Sequence, residues 1–144
     1  MRKGFALALT AALLASCSGG HQQAAGGASG VGKVDGALLT TGGDGSDWAM
    51  TGFNYSEQRF SPLTQVNDGN VGQLGVAWYA DMPDARGQEA TPIVIDGKLF
   101  VTGPWSKVFA FDAATGKQLW TYDPKVDPQK GVQACCDVVN RGVA

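Results

Sequence analysis

Charge is scarce in this sequence. Asp, Glu, Lys and Arg make up 17% of its 144 residues, and the formal net charge is −2. So small a field gives a polyanion nothing to bind, and nucleic acid is not expected as a partner. Histidine is scarcer still. His21 is the only one, and it lies in a Gly-rich stretch. A histidine-based metal centre or catalytic triad is therefore not expected. Long apolar runs are also missing. The longest, Phe5 to Ala15, is broken by Thr10, and a membrane-spanning helix needs about 20 apolar residues. Sustained helical periodicity is absent from everything after that run. Glycine, at 21 residues, is abundant, and aromatics reach 9% with Trp 4. That aromatic content argues against disorder of the chain as a whole.

The N-terminus reads as an export signal. Met1-Arg2-Lys3 is basic, the apolar run follows, and Leu14-Ala15-Ser16-Cys17 closes it. This ending resembles the bacterial lipoprotein box, which implies acylation of Cys17 as the mature N-terminus. Ser18 rather than Asp follows, which favours the outer membrane. Residues 1–16 are thus expected to be a lipoprotein signal peptide. Residues 17–46 are Gly-, Ala- and Ser-rich without an aromatic. Such a segment buries too little apolar surface to offset its ordering entropy, and a flexible tether is expected. Order is expected from Asp47-Trp48, so that 47–144 forms the folded part. Export places the chain in the bacterial periplasm, where disulfides are permitted.

The folded part reads as antiparallel β. Leu74 to Tyr79 is expected to be a strand. Ile93-Val94-Ile95 stops at Asp96-Gly97, a strong hairpin signal, and Lys98 to Thr102 returns. Lys107 to Asp112 and Lys117 to Tyr122 follow, separated by the turn Ala113 to Gly116. Gln-Leu leads into a Trp-containing strand twice, at Trp78 and Trp120, 42 residues apart. Propeller blades repeat every roughly 40–50 residues with four strands each. The fold class is therefore all-β, a β-propeller in preference to a sandwich, with an N-terminal strand and about one blade in this chain.

Cys135-Cys136 is an odd pair. Disulfides join Cα atoms about 4.4–6.8 Å apart, and neighbours on a trans peptide are about 3.8 Å apart. From the dipeptide alone, the cysteines pair with others, stay free, or close a strained ring. Their context is Cys135-Cys136-Asp137-Val138-Val139-Asn140-Arg141-Gly142. This segment strongly resembles the cofactor site of quinoprotein alcohol dehydrogenases, which use pyrroloquinoline quinone (PQQ). Asn54 to Leu63 resembles the N-terminal signature of the same family. Ala110-x-Asp112-x-x-Thr115-Gly116-Lys117-x-x-Trp120 resembles its tryptophan-docking motif, in which the Trp packs between blades. Together these cover about Trp48 to Ala144.

The resemblance implies a good deal about function. The blades would be of the PQQ type, eight to a propeller in the family. Cys135 and Cys136 would form a vicinal disulfide against the quinone, Arg141 would contact its oxygens, and Val139 and Glu89 would complete the cofactor contacts. A planar guanidinium is a sensible ligand for carboxylate and carbonyl oxygens. The reaction would be two-electron oxidation of a small alcohol to an aldehyde, with calcium polarising the quinone. The metal ligands and catalytic aspartate of the family fall outside this sequence, and Asp137 is not at the base's position. The chain is accordingly expected to be an N-terminal fragment that lacks the machinery for turnover. The electron acceptor would be a periplasmic cytochrome c. Glu89-Ala90-Thr91-Pro92 and Trp105-Ser106 lean toward the haem-carrying members, which would add haem c in a C-terminal domain. The alternative is an outer-membrane lipoprotein whose PQQ-like propeller binds partners without catalysis. The lipoprotein box and Trp repeat fit either; the cysteine pair with Arg141 and Glu89 fits only the dehydrogenase.

Overall fold

The computed structural model describes residues 33–133 and 135–144. The expected signal peptide, Cys17 and the tether up to residue 32 lie outside the described residues. Four strands form a single antiparallel sheet in chain order: β1 (Ile93–Ile95), β2 (Lys98–Thr102), β3 (Val108–Asp112) and β4 (Gln118–Tyr122). Each strand falls where the apolar and β-branched runs predict it. The β1–β2 turn is set by Asp96 and Gly97, with φ of 50° and 65°. Left-handed values at both central positions match the twist of a tight hairpin, which is why Asp-Gly marks one.

Register lines up the apolar side chains in tiers. Ile93 pairs with Phe100, Phe100 with Ala110, and Ala110 with Trp120. Ile93, Ile95, Phe100 and Ala110 form the core on this face, with Ala49 and Val143 packed against it. Phe100 and Trp120 meet at 5.9 Å between ring centroids. The opposite face carries Phe111, on which Trp78 stacks at 6.2 Å.

Trp78 docks onto the β3–β4 turn. Its indole Nε1 donates to the Ala113 carbonyl at 2.9 Å. Gly116 has φ of 71°, and a Cβ there would stand 2.6 Å from the indole. Only glycine meets both demands. The Asp112 carboxylate braces this turn, accepting from Thr115 N at 2.8 Å and Thr115 Oγ1 at 2.7 Å.

Two expectations need correction. Leu74 to Tyr79 is not a strand. Strands exist where a neighbour supplies the ladder, and none of the described residues pairs with this segment. Val76 is 85% exposed, and Trp78 ties the segment to the sheet through Phe111 and Ala113. The β1 edge instead meets Trp48, through a single antiparallel bridge to Val94. The second correction concerns the end of the stretch read as tether. Gly36–Thr41 forms a short helix, α1, capped by Asp35, whose carboxylate accepts from Ala37 N and Leu38 N. The Tyr55 amide donates to Leu39 O at 3.0 Å, and Asn54 Nδ2 donates to Thr41 O at 3.2 Å. Six residues are too few to display a helical period, so only the cap was there to be read.

Candidate functional site

The site is assembled from two segments far apart in sequence. One runs from Arg86 to Thr91 and leads into β1. The other runs from Cys135 to Gly142, after a 3₁₀ turn at Pro128–Gln133. Backbone pairing joins them at one end: Thr91 N donates to Arg141 O at 3.1 Å, and Thr91 bridges Gly142 in parallel.

The β2–β3 connection holds the second segment from the side. Trp105 and Ser106 carry φ of 62° and 55°, values uncommon for residues other than glycine. In this conformation Trp105 N donates to Val138 O at 2.9 Å. Asn140 is the central fastener. Its Oδ1 accepts from Thr102 Oγ1 at 2.8 Å and from Gly142 N at 3.0 Å, while its Nδ2 donates to Ser106 Oγ at 3.3 Å. Thr102, buried at the end of β2, is thereby satisfied. Gln88 Nε2 donates to the Thr102 carbonyl at 2.5 Å.

The residues singled out from sequence converge on this frame. Glu89 Oε2 lies 3.5 Å from Arg141 Nη2. The Arg141 side chain is 81% exposed. Cys135 and Cys136 are exposed thiols with sulfurs 2.8 Å apart. Hydrogen bonding to Cys135, desolvation and the charge of Glu89 all push the Cys136 thiol pKa up, while Arg141 pulls it down. Cys136 therefore lies within the electrostatic reach of both charged residues. Val139 faces Gly87: a Cβ on that glycine would stand 3.1 Å from Val139 Cγ1. Asp137, set aside as a base, is engaged by Arg86, whose Nε donates to Asp137 Oδ2 at 2.9 Å and whose Nη2 bonds Oδ1.

Residues 48–144 match the family model for the β-propeller domain of glucose/ethanol/alcohol dehydrogenases, PQQ. The chain belongs to this family. Its sheet is accordingly part of a PQQ-type propeller domain. Quinohemoprotein alcohol dehydrogenase ADH-IIG of Pseudomonas putida is 51% identical over 113 residues, covering 78% of this chain and 16% of the relative. A solved structure of ADHIIG from Pseudomonas putida HK5 superposes with a TM-score of 0.75 at 50% identity, over 79% of this chain and 17% of that one. The 1-butanol dehydrogenase (cytochrome c) of Thauera butanivorans is 53% identical over 100 residues, 69% of this chain and 14% of the relative. A europium-containing methanol dehydrogenase superposes with a TM-score of 0.66 at 34% identity, over 76% of this chain and 20% of that one. The chain thus spans 16% and 14% of the length of the two curated relatives.

The donor set fits a planar, anionic quinone. Among the described residues, Arg141 meets its one salt-bridge partner, Glu89, through a single nitrogen, which leaves donors of its fork for carboxylate or carbonyl oxygens. Two adjacent sulfurs offer a compact, polarizable surface for an aromatic face. Sequence reasoning missed Arg86, Thr102, Asn140 and Gln88. Asn140 lay inside the recognised segment and was legible as a position, but its partners come from β2 and the β2–β3 connection.

Proposed function

We propose that this chain is the N-terminal part of a quinoprotein alcohol dehydrogenase, in which Glu89, Cys135, Cys136, Val139 and Arg141 bind PQQ. The observation that carries this reading is the meeting of Glu89 and Arg141, from two segments that only the fold brings together. When bound, PQQ supplies the two-electron oxidation of an alcohol to an aldehyde.

The chain's own residues bind and orient. Arg141 donates to the cofactor's oxygens and stabilises negative charge that develops there. Glu89 balances Arg141 and limits the directions its fork can point. Cys135 and Cys136, joined as a vicinal disulfide in the oxidising periplasm, supply a rigid surface for the ring. Val139 adds apolar contact beside Gly87. The base that takes the alcohol proton and the metal ligands belong to other parts of the enzyme. Calcium is the metal proposed from the resemblance; a lanthanide in the europium-containing relative supports a hard cation at the same task. A cytochrome c as electron acceptor is supported by the name of the Thauera relative, and the export signal read from Met1 to Cys17 would place that acceptor in the periplasm. Haem c in a C-terminal domain is supported by the quinohemoprotein relatives. Leu14-Ala15-Ser16-Cys17 supports a lipid anchor in the outer membrane.

Alcohol-dependent dye reduction in fractionated host cells tests the reading. Activity should sit in the membrane fraction, require PQQ and calcium, and move to the soluble fraction in Cys17→Ser. Alcohol oxidation that persists without PQQ would refute the enzymatic assignment. Activity that stays in the membrane in Cys17→Ser would refute the anchor.

A further inference from the structure

The functional reading leaves Arg86 and Asp137 without a task, although they form the one fork-type ion pair seen among the described residues. Asp137 immediately follows the cysteine pair and has φ of 75°. Strained backbone of this kind persists where its surroundings enforce it. Here the enforcement is visible. Asp137 Oδ1 accepts from Val138 N at 2.8 Å, and both carboxylate oxygens are taken by Arg86.

Arg86 sits three residues before Glu89, and the intervening Gly87 passes against Val139. One guanidinium therefore fastens the Glu89 segment to the residue that turns the chain after Cys136, across 51 positions of sequence. We propose that the Arg86–Asp137 ion pair is a positioning element that fixes the cysteine pair relative to Glu89 and Arg141. It rests on the reading of this site as the quinone site. Arg86 is 54% exposed and Asp137 32%. Exposed pairs contribute little to global stability, so the effect belongs to local geometry rather than to folding.

The test uses the full-length enzyme with Arg86→Lys, Asp137→Asn and Cys135→Ala/Cys136→Ala. Lysine keeps the charge of Arg86 but not its fork. PQQ affinity is read by titration of the apo-enzyme, the thiol–disulfide equilibrium in glutathione buffers, and folding by thermal melting. Arg86→Lys and Asp137→Asn should each weaken PQQ binding by about 10–100-fold, the scale that partners of metal ligands carry. Each should shift the thiol–disulfide constant by about tenfold, or about 30 mV for a two-electron couple, with little change in melting temperature. In the cysteine-free background Asp137→Asn should have no further effect on affinity, since coupled sites are non-additive. Variants that match wild type in both PQQ affinity and thiol–disulfide equilibrium would overturn the positioning role. So would losses that persist unchanged in the cysteine-free background. If the wild type itself takes up no PQQ, the reading of the site falls, while the thiol–disulfide shift still decides whether the pair positions the cysteines.

Discussion

Asp112 does at residue scale what a longer loop would do with several groups. Its carboxylate takes both the amide and hydroxyl of Thr115, and the Thr115 hydroxyl is the main reason its pKa lies below the ordinary 3.8. A carboxyl with a depressed folded pKa stabilises above its unfolded value, and that stability is lost as pH falls through the folded value. The stability gap between wild type and Thr115→Ala should therefore be full near neutrality and shrink once pH drops below about 3.8. Denaturant unfolding across pH reads this directly; a gap independent of pH would contradict it. Asp137 has a depressed pKa as well, caused first by Arg86. The turn at Thr115-Gly116 was legible in the sequence because its own bracing, Asp112 to Thr115 and the positive φ of Gly116, lies within five residues. The Arg86–Asp137 pair was not, because 51 positions separate its members and neither residue type is unusual in a polar loop.

At the scale of elements, the sheet was readable and the segments flanking it were not. Asp96-Gly97 and the β-branched runs specify a hairpin locally, so β1 and β2 fall where expected. Leu74 to Tyr79 has strand-like residues, but its conformation depends on a partner that sequence alone does not name. Gly97 and Gly116 separate two costs of glycine replacement. Both have positive φ, but a Cβ at Gly97 meets nothing within 4 Å, whereas one at Gly116 strikes the Trp78 indole. Gly97→Ala should cost about 1–2 kcal/mol, the left-handed penalty alone. Gly116→Ala adds overpacking of about 1–3 kcal/mol and should be clearly worse. Denaturant midpoints of the two variants check the order; equal losses would show that Trp78 does not bear on the turn.

The whole molecule presents its β4 edge outward. Every residue of β4 is exposed, with Trp120 at 45%, although Trp120 occupies the position in its repeat that Trp78 holds in the one before. Trp78 shows what such a residue does: it lies on the turn of the following repeat unit and donates to its carbonyl. Trp120 meeting a further turn in the same way would close successive blades, the arrangement by which propellers protect sheet edges. The site is likewise organised across the molecule, since Glu89 precedes β1 while Cys135, Cys136 and Arg141 follow β4. The measurement that tests this account most directly is PQQ titration of the full-length apo-enzyme, with Arg141→Ala and Cys135→Ala/Cys136→Ala alongside wild type. Wild type should bind the quinone tightly, and both variants should bind it much more weakly while keeping the β-sheet circular dichroism of the folded protein. Wild-type affinity in both variants would contradict the assignment of this site.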